Sequence, residues 1–188
     1  MGRLLRHLKR HLRGLTLLVL TPMLGMTQQP HEHRIVALNL ALEERVLFVQ
    51  MIWSLQDIAG FEHWPPGNVA EQDSFDRGVA VVSDPRSVFS LPPKAKCKIK
   101  DVEAEEPVAA DDHHQDEDPS SDARPGAHVD VTINYRFKCK APAELAEIRV
   151  HLFRLFPDLQ AIRANLITDS AQTFQEVTFT EPVLFLPR

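Results

Sequence analysis

Seven of the nine histidines in this 188-residue chain fall after position 26, and most of them stand beside carboxylates. The first group is His31-Glu32-His33. Two histidines one residue apart project from the same face of an extended strand, so both imidazoles can reach a single ion. The second is Gly60-Phe-Glu-His-Trp-Pro-Pro66, where Glu62 and His63 sit between Phe61 and Trp64, rings that can fix a ligand pair by packing. The third is an acidic stretch in which Asp111 and Asp112 precede His113 and His114, with His128 and Asp130 opening the segment that follows. Imidazoles with carboxylates suit Zn²⁺ and related divalent ions. Each group also has a plainer reading. His31 and His33 suit a solvated tail, and Gly60–Pro66 suits a turn whose aromatics cover a sheet edge. The acidic stretch suits a solvated loop, the commoner meaning of such a run. His151 lies in an alternating segment and should face away from Ile148, Val150 and Leu152, which gives it a structural or surface role.

Other chemistries are not encoded. There is no phosphate-binding P-loop, no GxGxxG, no GxSxG and no HExxH. The serines show no partnered histidine and no acid–base pair stands out, so the chain is expected not to be an enzyme. A formal net charge of −5 and only three Trp and Tyr residues argue against a nucleic-acid surface.

The charge is unevenly spread. Residues 1–26 hold Arg3, Arg6, Lys9, Arg10 and Arg13, no acid, and an apolar run from Gly14 to Gly25. A basic start followed by a short apolar stretch has the form of a secretory signal peptide, and it falls short of the roughly 20 residues of a membrane span. Without residues 1–26 the net charge becomes −10. Ten acids and no Lys or Arg lie in 101–122, so residues 103–127 are expected to form a disordered acidic loop bearing His113 and His114. No later segment reaches spanning length. Cys97 and Cys139 flank this loop, and an oxidising compartment would favour their pairing. A disulfide closing that interval contributes about 4 kcal/mol at most by loop entropy. A two-cysteine metal site or a reactive thiol is the alternative, although neither has C-x-x-C spacing.

The elements that must position these residues read mostly as strands. With 44% hydrophobic and 25% charged residues the composition is that of one globular domain, 27–188. Ile35–Leu42 and Val46–Trp53 flank a tight connection at 43–45. Residues 68–82 show near-helical spacing of Val69, Phe75, Val79 and Val82, with Asn68 as the cap. Asp84-Pro85 starts a short helical turn. Further strands are expected at 95–103, 128–139, 147–153, 161–167, 175–179 and 183–186. The fold class is α+β: a mostly antiparallel, sandwich-like sheet with one main helix and the acidic loop.

The order of these pieces resembles the ZrgA-type zinc-uptake family of exported bacterial proteins. The resemblance is carried by the signal peptide, His31-Glu-His33, Ala37 to Glu43, Gly60-Phe-Glu-His63, Asp84-Pro85 with Phe89-Ser-Leu-Pro92, and Ala95-Lys-Cys97. It continues through the acidic loop, His128-Val-Asp130, Tyr135-Arg-Phe-Lys-Cys139, Leu152-Phe153 with Phe156-Pro157, and Ile162-Arg-Ala164. It implies a periplasmic protein of a Gram-negative bacterium that binds zinc and assists its uptake under zinc limitation, with a zinc-uptake transporter component as a possible partner. It implies zinc ligands at His31, His33, Glu62, His63 and His128, with metal capture by Asp111, Asp112, His113 and His114. The loop here keeps only two histidines, and Thr132 stands where a second histidine usually follows the one at 128. That points to a small fixed site rather than a bulk zinc buffer. The other reading of the chain is a non-metal envelope interaction module that uses Phe61 and Trp64 as exposed anchors.

Overall fold

In a computed structural model the described residues are 34–107 and 129–187. Two long strands open the domain, β1 (Ile35–Glu43) and β2 (Val46–Ser54). Val36, Leu38 and Leu40 alternate with Ala37, Asn39 and Ala41, and Leu47, Val49, Met51 and Trp53 alternate in the same way along β2. The apolar set faces one side and is almost wholly buried. The turn between them holds Glu44 at φ 49°. β2 runs directly into a five-residue helix, α1 (Leu55–Ala59). Gly60 ends it at φ 87°, a conformation that residues with a Cβ seldom adopt, and its N–H closes on the Gln56 carbonyl.

The main helix is α2 (Val69–Val82), followed by a single turn, α3 (Pro85–Val88), and a two-residue strand, β3 (Phe89–Ser90). Asn68 caps α2 by accepting the Glu71 N–H, and Asp84 caps α3 by accepting the Arg86 N–H. β4 (Cys97–Glu105) and β5 (Asp130–Cys139) come next. The remaining elements are β6 (Glu147–Val150), α4 (Leu152–Leu155), β7 (Ala161–Thr168), β8 (Gln172–Val177) and β9 (Val183–Phe185).

Six strands form one sheet in the order β4-β5-β2-β1-β7-β8, and β3-β6-β9 form a smaller one. All pairings are antiparallel except β1 with β7. The expected α+β class with an antiparallel-rich sheet and one main helix is therefore observed. The core lies on one face of the large sheet, where Leu38, Met51, Trp53, Ile133, Tyr135 and Leu166 meet Leu55, Val82, Ile148, Leu152 and Leu184. The other face carries a row of amides: Asn165 donates to Asn39, and Asn39 donates to Gln50. The Gln175 side chain joins the two sheets by accepting the Phe185 N–H and donating to the Phe185 carbonyl.

Cys97 and Cys139 are register partners across β4 and β5 and form a disulfide, so the metal-site and free-thiol alternatives fall away. The acidic loop begins later than its composition implies. Glu103 and Glu105 belong to β4, opposite Asn134 and Thr132, and Asn134 donates to Glu105 at 2.5 Å. The ladder to β5 satisfies their backbone whatever their charge. Residues 108–127 of the expected loop, with Asp111, Asp112, His113 and His114, lie outside the described residues, as does the expected signal peptide. No described helix is long and apolar enough to cross a membrane.

Two other boundaries differ from the sequence reading. The strand at 147–153 stops at Val150, because His151 takes φ −106°, ψ 2° and Leu152–Leu155 turn helical. α1 was not foreseen, because five residues are too few to show a helical period.

Helix α2 lies so close on α1 that a Cβ at Gly78 would sit 2.6 Å from both the Ile58 carbonyl oxygen and its Cγ2. Alanine is the better helix former by about 1 kcal/mol, but a backbone oxygen cannot step aside as a flexible side chain does. Gly78→Ala is expected to destabilise the domain by about 1–3 kcal/mol net. Urea unfolding monitored by Trp fluorescence reads this directly, and an unchanged or raised midpoint would show that the helices separate freely.

Candidate functional site

Among the described residues the expected site is represented by Glu62 and His63, in the segment that joins α1 to α2. This segment leaves Gly60, buries Phe61, and passes through a cis Trp64–Pro65 bond before reaching the Asn68 cap. Phe61 packs on the His63 ring at 5.3 Å between centroids, and Trp64 packs on Phe75 of α2 at 4.9 Å. With Phe61 buried and Trp64 half-buried, these rings hold the segment on the domain. They are not the exposed anchors that an aromatic interaction module requires.

The His63 Nε2 lies 3.0 Å from Oε2 of Glu71, on the first turn of α2. The same Glu71 oxygen accepts the Gly67 N–H at 2.7 Å, and the Glu71 N–H is held by Asn68 at 3.0 Å. Asn68 and Glu71 thus form a variant of a capping box, in which the N3 carboxylate reaches back to Gly67 and takes up His63 as well. The Gly67 N–H holds the Glu71 carboxyl below its usual range, with His63 and Asn68 acting in the same direction against a partial burial penalty. Glu71 is therefore an anion braced by the helix start. A carboxylate on one imidazole nitrogen fixes the ring's tautomer and orientation and makes the other nitrogen a better metal donor. The His63 side chain keeps 56% of its surface exposed.

Glu62 precedes His63 and belongs to a neighbouring cleft. It lines this cleft, of about 560 Å³, with Arg34, Trp53, Gln56, Asp57, Phe156, Asp158, Leu159 and Gln160. Asp57 anchors one wall by accepting the Arg34 backbone N–H at 2.6 Å and the Trp53 indole N–H at 3.2 Å. The bond into Arg34 comes from His33. At the start of α1 the Leu55 N–H donates to the Val129 carbonyl at 2.8 Å, and the residue bonded to Val129 is His128. His31, His33 and His128 themselves lie outside the described residues. Their attachment points, Arg34 and Val129, both contact the α1 segment, four residues upstream of His63. Within the described residues no three His, Cys, Asp or Glu side chains form a ready cluster for a metal ion.

Glu71 was missed in the sequence because it reads as an ordinary first-turn acid. The signal was Asn68-x-x-Glu71, a cap spacing that also predicts a side chain turned back toward the preceding loop. His151, read as a surface or structural residue, is half-buried and lies 2.7 Å from the Ser90 hydroxyl, so one serine does have a partnered histidine.

The lowered Glu71 acidity carries a pH signature. A carboxylate more acidic in the folded state than its ordinary value of 4.5 contributes stability that is fully present above that value. That contribution is lost as pH falls through its lower folded value. Glu71→Gln is expected to be less stable than the parent at pH 7, with the gap closing below about pH 4.5. Urea midpoints of both proteins from pH 7 to pH 3 test this, and a gap independent of pH would remove the charge from the account.

Compared with known families, residues 30–186 match the model described as ZrgA family zinc uptake protein. A search of curated proteins finds no match. The family match spans every described strand and helix, together with the Glu62-His63 segment and the Cys97–Cys139 pair. The chain belongs to the ZrgA family of zinc uptake proteins.

Proposed function

We propose that this protein is a periplasmic zinc-binding accessory that assists zinc acquisition by handing on or concentrating the ion, and that it acts by binding rather than by catalysis. The observation that carries this reading is the His63–Glu71 pair: an exposed imidazole whose Nε2 is held by a helix-braced carboxylate. The fixed site would draw its imidazoles from His31, His33, His63 and His128, with Glu62 as an additional carboxylate. Histidine and carboxylate form a donor set that Zn²⁺ accepts in tetrahedral geometry. Chain connectivity supports convergence. Three residues span at most about 11 Å, so the chain allows His31 and His33 to reach that far from Arg34 on the cleft wall, and His128 is bonded to Val129, whose carbonyl accepts the Leu55 N–H of α1. The Cys97–Cys139 disulfide supports an oxidising compartment. The acidic 108–127 segment, with Asp111, Asp112, His113 and His114, would raise the local cation concentration and speed capture. A transporter component is the partner to which such a protein would deliver.

Calorimetry at pH 7.5 on metal-stripped protein lacking residues 1–26 is expected to show one zinc site tighter than about 1 µM. His63→Ala should weaken it by more than the roughly 10–100-fold expected of Glu71→Gln, because one removes a donor and the other its support. The absence of zinc binding tighter than micromolar would end this reading.

Deleting 108–126 should leave most of that affinity but slow zinc association and flatten its dependence on salt, as read by stopped-flow competition with a chromogenic chelator. An unchanged association rate would assign the acidic segment no part in capture.

A further inference from the structure

A second cluster lies on the smaller sheet, built from β3, β6 and α4. Ser90 on β3 is the register partner of Arg149 on β6, so the two side chains share one face. His151 follows Arg149 by two residues, just past the end of β6, with its own N–H held by the Val88 carbonyl at 2.8 Å. Its Nε2 lies 2.7 Å from Ser90 Oγ. Arg154 closes the first turn of α4, its N–H donating to the His151 carbonyl at 2.9 Å. Ser90, Arg149 and Arg154 are exposed and His151 is half-buried. Burial first, then the charges of Arg154 and Arg149, hold the His151 ring below the usual imidazole range.

Arg136 has Asp101 and Arg163 has Glu176, whereas neither Arg149 nor Arg154 has an ion-pair or side-chain hydrogen-bond partner among the described residues. This occurs in a chain where acids outnumber Lys and Arg by 26 to 21. Two guanidinium forks, a hydroxyl and an imidazole together supply more donors than the two oxygens of a carboxylate can use. A tetrahedral oxyanion offers three or four oxygens to the same donors.

We propose that Ser90, Arg149, His151 and Arg154 form a binding site for a tetrahedral oxyanion, phosphate or a phosphomonoester, separate from the zinc site. No comparable cluster of unpaired cations around a hydrogen-bonded Ser–His pair occurs elsewhere among the described residues. The site needs no metal, so it stands or falls independently of the zinc reading.

The test uses metal-stripped protein lacking residues 1–26, titrated with inorganic phosphate at ionic strength held constant with NaCl. Calorimetry and the ring resonances of His151 by NMR are followed together. Saturable phosphate binding with Kd of about 1 mM or tighter is expected, with the His151 signals moving along the same curve. Arg149→Gln and Arg154→Gln should each weaken it, and the double variant should weaken it by roughly tenfold or more with zinc binding unchanged. Acetate should bind far more weakly than phosphate. Phenyl phosphate in place of phosphate separates the sources: equal or tighter binding assigns the site to a phosphomonoester, and weaker binding to the free ion. A linear, non-saturating response, equal binding of acetate, or phosphate binding unchanged in the double variant would overturn the proposal.

Discussion

Helix α2 is fixed on the rest of the domain at two points, and the placement of Glu71 depends on both. At its C-terminal end the Tyr135 hydroxyl, rising from the buried face of β5, donates to the Val82 carbonyl at 2.5 Å. Tyr135 is nearly inaccessible and packs edge-on against Phe89, and its burial drives the phenol toward the protonated, donating form. In the middle of the helix Gly78 lets the backbone come down on Ile58, and Ser74 donates to the Ala59 carbonyl nearby. A helix held in this way has little freedom to rotate or slide. Its N-terminal turn, with Asn68 and Glu71, therefore sits at a set place beside the segment that carries His63. The sheet itself contributes only indirectly, by holding Tyr135 and α1 in register.

Electrostatics divide the surface into regions of different character. The Glu62 cleft gathers Asp57 and Asp158 together with Arg34, and Glu71 stands as a braced anion beside His63. Ser90, Arg149, His151 and Arg154 form the opposite character on the smaller sheet. The open face of the large sheet is different again, with neutral amides in its middle row and the pairs Arg136–Asp101 and Arg163–Glu176 toward its edges. Exposed pairs of this kind contribute little to stability, since solvent screens them and holding long side chains costs entropy. The stability of the domain instead rests on the continuous apolar layer from Leu38 through Trp53, Ile133 and Leu166, together with the disulfide that closes β4 on β5.

Much of the fold was legible because it rests on a period. The weak alternation of Ile35–Leu42 and the apolar run Val46–Trp53 marked β1 and β2 as strands, and Asn68 marked the start of α2. Composition places Glu105 in the loop because it weighs charge alone, whereas a strand needs only a partner for its backbone. Val150 ends β6 because the chain at His151 must turn to put Leu152 and Phe153 into the core, and alternation through Leu152 concealed that. The family likeness pointed to Glu62 and His63 as neighbours in one site. In the fold Glu62 turns to the cleft, while His63 turns to Glu71.

The sequence by itself determined most of the strands, the helix cap, the cysteine pair and the candidate donors, because each follows from local periodicity, short-range hydrogen bonding or residue chemistry. Only the tertiary structure decided that β1 runs parallel to β7, that Glu71 is the partner of His63, and that Ser90 meets His151 across 61 positions of chain. Those contacts arise from how separate elements pack, through steric fits such as Gly78 on Ile58 and bonds such as Tyr135 to Val82 that leave no mark in any local window of sequence.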